Sequence, residues 1–353
     1  MPFEHIPLVD NHAHPSLRAP DEPFARYFTE GSRAQPDALF FRHAVRELAG
    51  LLGCQADEAA VVAARGADAR LMRRLVEDAR IETVLIDDGY PREGGYTVQE
   101  MARLGGFKAR RVLRLERLAE DLIAAGHRDL DGLRTAFVAG LDQAASGPGL
   151  AALKSVIAYR SGLQVDPPDP ARAAAGLDAY ADGRLTSKPL LDLLLTLAAD
   201  WAADHGVPLH LHTGFGDRDL DLRLANPVHL RPLLENGVLG RSPLVLLHAS
   251  YPYSREAAYL ATIYPRLYVD LSLVSPLLAG PALTRVFEDL LGQAPVTRLL
   301  YGSDAWGIPD WLWLAARATR RALGEALAWL ADAEAEWTAR RVLHDNAAEL
   351  NGV

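Results

Sequence analysis

Five histidines of this chain directly follow or end short aliphatic runs, and their imidazoles could bind a divalent metal. They are His12, His14, His210, His212 and His248, five of the 11 histidines in the sequence. His12 and His14 are two positions apart, so in a strand both side chains would lie on the same face. Two imidazoles from one strand end can bind a metal. Taken alone, the pair is equally compatible with two surface histidines after a turn. Whether it forms a metal site depends on whether the later strands also end in histidine.

The elements that would position these histidines are short aliphatic runs, each of which predicts a buried strand. The runs lack alternation of polar and apolar residues, which is typical of parallel strands covered on both faces by helices. They span 6–9, 82–89, 111–115, 150–154, 207–212, 244–248, 267–271 and 298–304. Helical patterns lie between them, and the alternation predicts an α/β fold, a (β/α)8 TIM barrel. A doubly wound open sheet is the alternative, but no glycine-rich phosphate loop follows the first strand.

One long helical segment interrupts this alternation. The 353 residues suit a single barrel domain, 1–353, with insertions, and neither a repeat nor a linker is visible. Residues 16–80 are more than a crossover helix needs, and helical spacing covers 39–52 and 58–79. This pattern predicts a helical insertion after strand one, over whatever His12 and His14 bind. A lid and a buttress against the barrel wall are both compatible with it.

The net charge and the composition limit which kinds of partner and cellular location are expected. The formal net charge of −9 argues against nucleic acid or an anionic membrane as a partner, and favours a small-molecule substrate. The single cysteine, Cys54, excludes an intrachain disulfide and a thiolate metal cluster. The first residues lack the pattern of a signal peptide, and no apolar run is long enough to span a bilayer, so we expect a cytoplasmic protein. A homo-oligomer is left open.

The residues at the ends of the predicted strands would converge. In a (β/α)8 barrel the carboxyl ends of all strands meet on one face, where the active site lies. Besides the five histidines, Lys154 ends strand four and Asp304 ends strand eight. We therefore expect His12, His14, His212, His248 and Asp304 to bind a metal on that face. The remaining six histidines fall on predicted helices or loops and are expected to be structural or solvated.

Several stretches resemble the amidohydrolase superfamily of metal-dependent hydrolases, and more narrowly its FluG/nodulin-type branch, which is sometimes fused to a glutamine synthetase. They are 154–163, 212–217 with 219–223, and 247–253, and the resemblance runs from position 10 to 346. Two departures matter. Strand eight ends in Gly302-Ser303-Asp304 and is followed by Pro309-Asp310, where the branch commonly has Ser-(Ser/Thr)-Asp and then Pro-Glu. His210 stands where the branch often carries another polar residue, which favours His212 as ligand and His210 as a neighbouring or substrate contact.

The resemblance implies a catalytic metal centre. Imidazoles with Asp304 suit Zn²⁺, with Mn²⁺ or Fe²⁺ as alternatives, and one or two ions are compatible. Zinc lowers the pKa of bound water to about 7. Asp304 would orient that water and pass its proton to the leaving group, with His248 beside it in the catalytic group. Lys154 is either carbamylated, so that it bridges two metals, or a plain ammonium that binds a substrate carboxylate.

The expected reaction is hydrolysis of a C–N amide bond in a small, carboxylate-bearing substrate, for which the resemblance suggests a γ-glutamyl amide. Arg160 and Arg223 could bind the carboxylate bidentately, although Arg223 also fits a plain surface arginine. The other expected substrate contacts are His210, Tyr251 and Trp306. A non-oxidative decarboxylase or a lactonase on the same barrel is the alternative. A non-catalytic regulatory barrel is a third possibility, which the complete ligand set opposes.

Overall fold

Eight parallel strands form the centre of the protein. The computed structural model describes residues 1–147, 149–180 and 183–353. The strands are β1 (Leu8–Ala13), β2 (Ile81–Asp87), β3 (Lys108–Arg114), β4 (Leu150–Ser155), β5 (Leu209–Leu211), β6 (Leu244–Leu246), β7 (Leu267–Asp270) and β8 (Leu299–Leu300). Each strand pairs in parallel with the next. The amide of Asn11 donates to the carbonyl of Tyr301 at 3.0 Å, which brings β8 beside β1. The predicted (β/α)8 barrel is confirmed.

Helices surround the strands. The α-helices are α1 (Leu39–Leu52), α2 (Glu58–Ala67), α3 (Leu71–Ala79), α4 (Val98–Gly105), α5 (Leu115–Ala124), α6 (Leu130–Ser146), α7 (Pro170–Asp178), α8 (Lys188–His205), α9 (Arg231–Glu235), α10 (Ser254–Ile263), α11 (Val274–Leu277), α12 (Pro281–Leu291), α13 (Asp310–Ala326), α14 (Asp332–Arg340) and α15 (Asn346–Asn351). Short 3₁₀ segments include Phe24–Phe28, Ile157–Tyr159 and His248–Ser250. Among the described helices, none has both the length and the apolarity needed to cross a bilayer.

The interior of the barrel is filled below its carboxyl end. Small and aliphatic side chains from the strands pack there on the C-terminal helix, in a cluster made of Val9, Leu85, Val112, Ala151, Ala152, Val245, Leu247, Leu300 and Ala347. A much larger cluster packs the outer faces of the strands against the helices. A filled interior is the usual state of an eight-stranded barrel. Ligands therefore reach the strand ends from one side only.

Strand bounds differ from the predicted ones in a way that matters for the site. The predicted first strand, 6–9, is too short, because β1 continues to Ala13 and includes His12. Asn11 is accommodated in this buried strand because its amide group donates to Asp270 at 3.0 Å. In contrast, β5, β6 and β8 end before His212, His248 and Asp304. These three side chains therefore extend from loops.

Residues 16–80 are divided between two locations. Helices α1, α2 and α3 pack against the barrel, mainly on α13: Arg65 pairs with Asp310 at 2.5 Å, and the indole of Trp313 donates to Asp78 at 2.6 Å. The short Phe24–Phe28 segment instead lies over the strand ends. The prediction of one continuous helix over 58–79 is wrong. The helix is interrupted between α2 and α3, where the carboxylate of Asp68 accepts from the backbone amide of Arg70.

Candidate active site

A cavity of about 290 Å³ opens at the carboxyl ends of the strands. Its floor is built by residues of β1, β4 and the loops after β5, β6 and β8, and we call these residues the floor cluster: His12, His14, Lys154, His212, His248 and Asp304. All of these residues are more than nine-tenths buried, with relative exposures from 0% for His12 to 8% for His14 and Asp304. The structure thus brings together the residues that the sequence placed at separate strand ends.

The carboxylate of Asp304 lies between the two histidines of β1. Its Oδ1 atom is 3.3 Å from Nε2 of His12 and 3.4 Å from Nε2 of His14, and it forms no hydrogen bond within the described structure. The backbone of Asp304 is held in the left-handed region, at φ 56°, and its amide donates to the carbonyl of His12 at 2.8 Å. Such a conformation is unfavourable for a non-glycine residue and recurs at functional sites.

His212 and His248 form the other half of the floor cluster. Nε2 of His248 is 3.0 Å from Nδ1 of His212. The remaining ring nitrogens have partners of their own: Nδ1 of His248 meets the hydroxyl of Ser272 at 3.0 Å, and Nε2 of His212 meets the carbonyl of Phe215 at 3.0 Å. His14 is held in the same manner, with Nδ1 at 3.1 Å from the carbonyl of Asp87. Histidines that bind metals are usually oriented by such a bond on their second nitrogen.

The loops that carry these two histidines are interlocked. The hydroxyl of Thr213 donates to the carbonyl of Leu247 at 2.7 Å and lies 2.7 Å from the hydroxyl of Ser250. Gly214 has φ 72°, and a Cβ atom there would lie 2.4 Å from the backbone of Ser250, so the close passage of the two loops requires glycine. This contact explains locally why the sequence has Thr-Gly after His212 and Ser after His248-Ala249.

Lys154 enters the floor cluster from β4. Its Nζ atom is 3.0 Å from Nε2 of His12, and its side chain is 1% exposed. Burial lowers the pKa of Lys154 to about 8, against the opposing effect of Asp87. The amine of Lys154 therefore lies among the candidate ligand atoms, where it could either bridge two metals or carry a charge.

The electrostatics favour neutral imidazoles. Burial, with the charge of Lys154 in addition, lowers the pKa of His12 and of His212 well below the usual value. For His248, burial and then His212 lower the pKa in the same direction. Metal-binding histidines must be deprotonated. His12, His212 and His248 are thus neutral, as metal ligands must be, at neutral pH.

The donor set fits a divalent cation. His12, His248 and Asp304 each offer one ligand atom within 4.8 Å of the others, and so do His12, His14 and Asp87. The first group includes the Oδ1 atom of Asp304, which is buried without a hydrogen-bond partner. A buried carboxylate oxygen without a donor is costly unless a cation compensates it. Nitrogen and carboxylate ligands suit zinc and other first-row divalent metals.

Sequence reasoning missed Asp87 and Arg114. Asp87 ends β2, and its carboxylate accepts from Arg114 at 2.7 and 3.0 Å. Although burial opposes it, Arg114, with His14 and Lys154, lowers the pKa of Asp87 to about 2. Asp87 therefore remains charged and neutralises Arg114 beside the cavity. The available signal was the position of Asp87 near the end of the predicted strand 82–89.

The wall of the cavity carries charges from the loops. Arg26 and Glu30 come from the segment after β1, Arg160 follows β4, and Arg184 and Asp217 come from later loops. Tyr159 covers His212, with ring centroids 4.4 Å apart. Trp306 also lines the cavity and packs on Tyr27 at 5.5 Å.

Three of the expected substrate contacts lie elsewhere. His210 is fully buried and does not line the cavity; its ring is 6.2 Å from that of His12, and both its nitrogens lack a partner within the described structure. Burial lowers the pKa of His210 to about 3. Arg223 is exposed and pairs with Asp221 at 2.7 Å. Tyr251 packs its ring on Phe215 at 5.5 Å and does not line the cavity in the part of the chain that the structure describes. The structure brings Arg160 and Trp306 to the cavity, but not these three.

Comparisons with known proteins agree with this geometry. The amidohydrolase family model matches residues 9–353. Protein fluG of Emericella nidulans is 31% identical over 363 residues, which cover 90% of this chain and 42% of fluG. The chain thus spans about two fifths of the length of this curated relative.

Solved structures are similar over the full chain. The crystal structure of a protein from Lactobacillus casei ATCC 334, described as a metal-dependent hydrolase, has a TM-score of 0.88 and 32% identity, covering 99% of this chain and 96% of that one. A uronate isomerase from Bacillus halodurans has a TM-score of 0.68 at 12% identity, covering 99% and 94%, which shows a shared fold. The resemblance seen in the sequence is confirmed. This chain belongs to the amidohydrolase superfamily, on its fluG-like branch, and is an enzyme of that superfamily.

Proposed function

We propose that this enzyme is a metal-dependent hydrolase that cleaves the C–N bond of an amide in a small, carboxylate-bearing substrate, with a γ-glutamyl amide as the first candidate. One observation carries the proposal: a buried carboxylate and several neutral imidazoles meet at the floor of a cavity whose wall carries arginines. The floor suits water activation, and the wall suits an anionic substrate.

The metal would be held by His12, His14, His248 and Asp304, with His212 and Lys154 completing the floor cluster. We propose Zn²⁺, with Mn²⁺ or Fe²⁺ as alternatives. When bound there, a divalent metal supplies a Lewis acid and lowers the pKa of water. Lys154 is either carbamylated in a site with two ions or a plain amine in a site with one. Intact mass under native conditions separates the two, because carbamylation adds the mass of one CO₂.

The protein's own contribution is to hold and move a proton. Oδ1 of Asp304 faces the cluster without a hydrogen-bond donor, so it is free to accept a proton from water and to return it to the leaving nitrogen. Its position is set by the backbone bond to His12, 2.8 Å long. Tyr159 covers His212 and limits the access of bulk water to the floor. A fixed carboxylate in such a site needs little reorganisation during the reaction.

The substrate's carboxylate would meet the arginines of the wall. Arg160 lies 3.2 Å from Glu120 and Arg114 lies 2.7 Å from Asp87, so both guanidinium groups are partly neutralised. They are nevertheless held rigidly at the cavity, which favours a directed hydrogen bond to an anionic group. The similarity to fluG, of which this chain matches about two fifths, supports the choice of branch, while the substrate is our proposal.

The decisive experiment measures both products. Zinc-loaded enzyme is incubated with γ-glutamyl amides, with aromatic carboxylates and with lactones, and the release of amine and CO₂ is followed. We expect amine from the γ-glutamyl amides and no CO₂. Release of CO₂ without amine would replace the hydrolase with a non-oxidative decarboxylase, and turnover of lactones alone would replace it with a lactonase.

A further inference from the structure

Most charges on the cavity wall are already paired within the protein. Arg114 is bound by Asp87 at 2.7 Å, Arg160 by Glu120 at 3.2 Å, and Arg184 by Asp219 at 2.8 Å. Each of these ion pairs joins two separate elements of the fold, as Arg160 after β4 is joined to Glu120 of α5, so each has a structural role. A substrate that enters the cavity therefore meets these three guanidinium groups with part of their charge already compensated.

Arg26 differs from these arginines. It follows β1 in the Phe24–Phe28 segment and lines the cavity, and its guanidinium donates only to the carbonyl of Thr29, at 3.1 Å. Within residues 1–147, 149–180 and 183–353, no carboxylate lies at ion-pair distance from it. A guanidinium that faces a concave site without a carboxylate partner is available to an anionic ligand.

Glu30 is the matching acid. It lies two residues beyond that segment, lines the same cavity, and has neither an ion pair nor a hydrogen bond to its carboxylate within the described residues. Burial, followed by the nearby carboxylates of Asp304 and Asp217, raises the pKa of Glu30 to about 7. The carboxylate is thus in an unfavourable place for a charge, and Arg26 is near enough to interact with it but does not contact it.

Two nearby opposite charges that form no ion pair do not stabilise a fold as well as a pair in contact would. If Glu30 served only to support this part of the chain, an ion pair with Arg26 would be the simplest arrangement, since the charge of Arg26 already acts on the Glu30 carboxylate. Instead, both open onto the cavity above the floor cluster. Asp217, from the loop after β5, lines the same cavity, and its negative charge acts on Glu30.

We infer that Arg26 and Glu30 bind the head group of an α-amino acid: Arg26 supplies the uncompensated charge that binds the α-carboxylate next to Arg160, and Glu30, helped by Asp217, binds the α-ammonium group. This inference rests on the proposed amide hydrolysis, and it narrows the substrate to amides formed by the side-chain carboxyl group of an amino acid. A ligand that carries one positive and one negative group on the same carbon would fill the gap between the two side chains. Simple dicarboxylic acid amides would leave Glu30 uncompensated.

The test is a comparison of three probes by calorimetry on the full-length, zinc-loaded enzyme. L-glutamate has both head groups, glutarate lacks the ammonium group, and 4-aminobutyrate lacks the α-carboxylate. Hydrogen bonds to charged groups typically change affinity by about tenfold or more. We therefore expect L-glutamate to bind at least about tenfold more tightly than either of the others.

Three variants test whether the preference for L-glutamate comes from Arg26 and Glu30. Glu30→Gln should reduce the affinity for L-glutamate to that for glutarate, and leave glutarate within about twofold because its binding never used the charge. Arg26→Gln should reduce L-glutamate to the level of 4-aminobutyrate. Glu30→Asp should retain part of the preference, which separates a charge effect from misfolding. Matched controls are Glu235→Gln and Arg255→Gln, two side chains in exposed surface ion pairs, which should change nothing.

The outcomes are distinct. Equal affinity for L-glutamate and glutarate in the native enzyme, or no binding of any probe, overturns the inference. So does a Glu30→Gln variant that loses all three ligands equally. Amide turnover measured in parallel separates this inference from the proposed function: a preference for L-glutamate without hydrolysis of γ-glutamyl amides means that the hydrolase proposal fails while the head-group site stands.

Discussion

The floor and the wall of the cavity are built on different principles. The floor cluster is carried by strands, or by residues that follow a strand within a few positions, and it is made of imidazoles, the Lys154 amine and a carboxylate whose Oδ1 atom lacks a donor. The wall comes from loops, and its charges are largely paired with one another, as Arg160 is with Glu120 and Arg184 with Asp219. A buried carboxylate oxygen without a donor, such as Oδ1 of Asp304 at the floor, indicates a site for chemistry. Paired groups on the wall indicate a shaped surface for binding.

This difference has a consequence for variants. A change in the floor cluster removes an atom that nothing else in the protein replaces, so it should affect metal content or the chemical step. A change in the wall leaves the chemistry in place and should alter which molecules bind and how tightly. Variants in the two regions can therefore test whether the distinction holds.

The largest effect is expected for His248→Ala. The imidazole is fixed by Ser272 on one side and faces His212 on the other, and no other side chain can take its place. We expect loss of metal and of activity with an intact fold. The metal-to-chain ratio by elemental analysis, with circular dichroism as the control for folding, checks this. Full metal occupancy in the variant would show that His248 is not a ligand.

Asp304→Asn should have a smaller effect on the metal and a large one on turnover. The amide keeps a coordinating oxygen but cannot accept a proton, so we expect metal to be retained and kcat to fall by several orders of magnitude. Pre-steady-state and steady-state rates of amine release measure the loss. An unchanged kcat would remove Asp304 from proton transfer and leave it as a ligand alone.

The floor cluster could be predicted from the sequence because, in a barrel, the place of a residue relative to its strand determines where the residue lies in the fold. A residue that follows an aliphatic run must lie at the carboxyl end of a strand, and all such ends meet. This reasoning correctly brought His12, Lys154 and Asp304 together. It could not by itself order His210 and His212; the resemblance favours His212, which lines the cavity, whereas His210 does not.

The wall could not be predicted in the same way. Arg26 and Glu30 lie in a stretch without periodicity, and their position depends on how that stretch packs. Tyr27 packs on Trp306, and a Cβ at Gly307 would lie 2.8 Å from the Tyr27 ring, so a contact between distant parts of the chain positions the segment. Arg223 was chosen because it follows the resembling stretch at 212–217, but Asp221 holds it at the surface.

Arg160→Ala should have a moderate effect on binding. Because Glu120 already compensates part of its charge, we expect KM to rise by about tenfold with little change in kcat, as loss of uniform binding does. Arg223→Ala is the matched control and should leave both parameters unchanged, since its guanidinium is 87% exposed. Michaelis kinetics with one γ-glutamyl amide measure both variants. If Arg223→Ala has the greater effect, the region that binds substrate extends beyond the cavity.

The smallest effect is a dependence on pH that belongs to the wall alone. Burial and the carboxylates of Asp304 and Asp217 raise the pKa of Glu30 to about 7, against the lowering effect of Arg26. Below that pH Glu30 is neutral, and above it the charge is present to bind an ammonium group. The affinity for L-glutamate relative to glutarate should therefore rise as pH increases, by about fivefold to tenfold from one pH unit below the pKa to one unit above it. Because the ratio cancels any titration of the floor that affects both ligands alike, the change reports on Glu30. In Glu30→Gln the ratio should stay flat, and a slope that persists in this variant would assign the titration to another group.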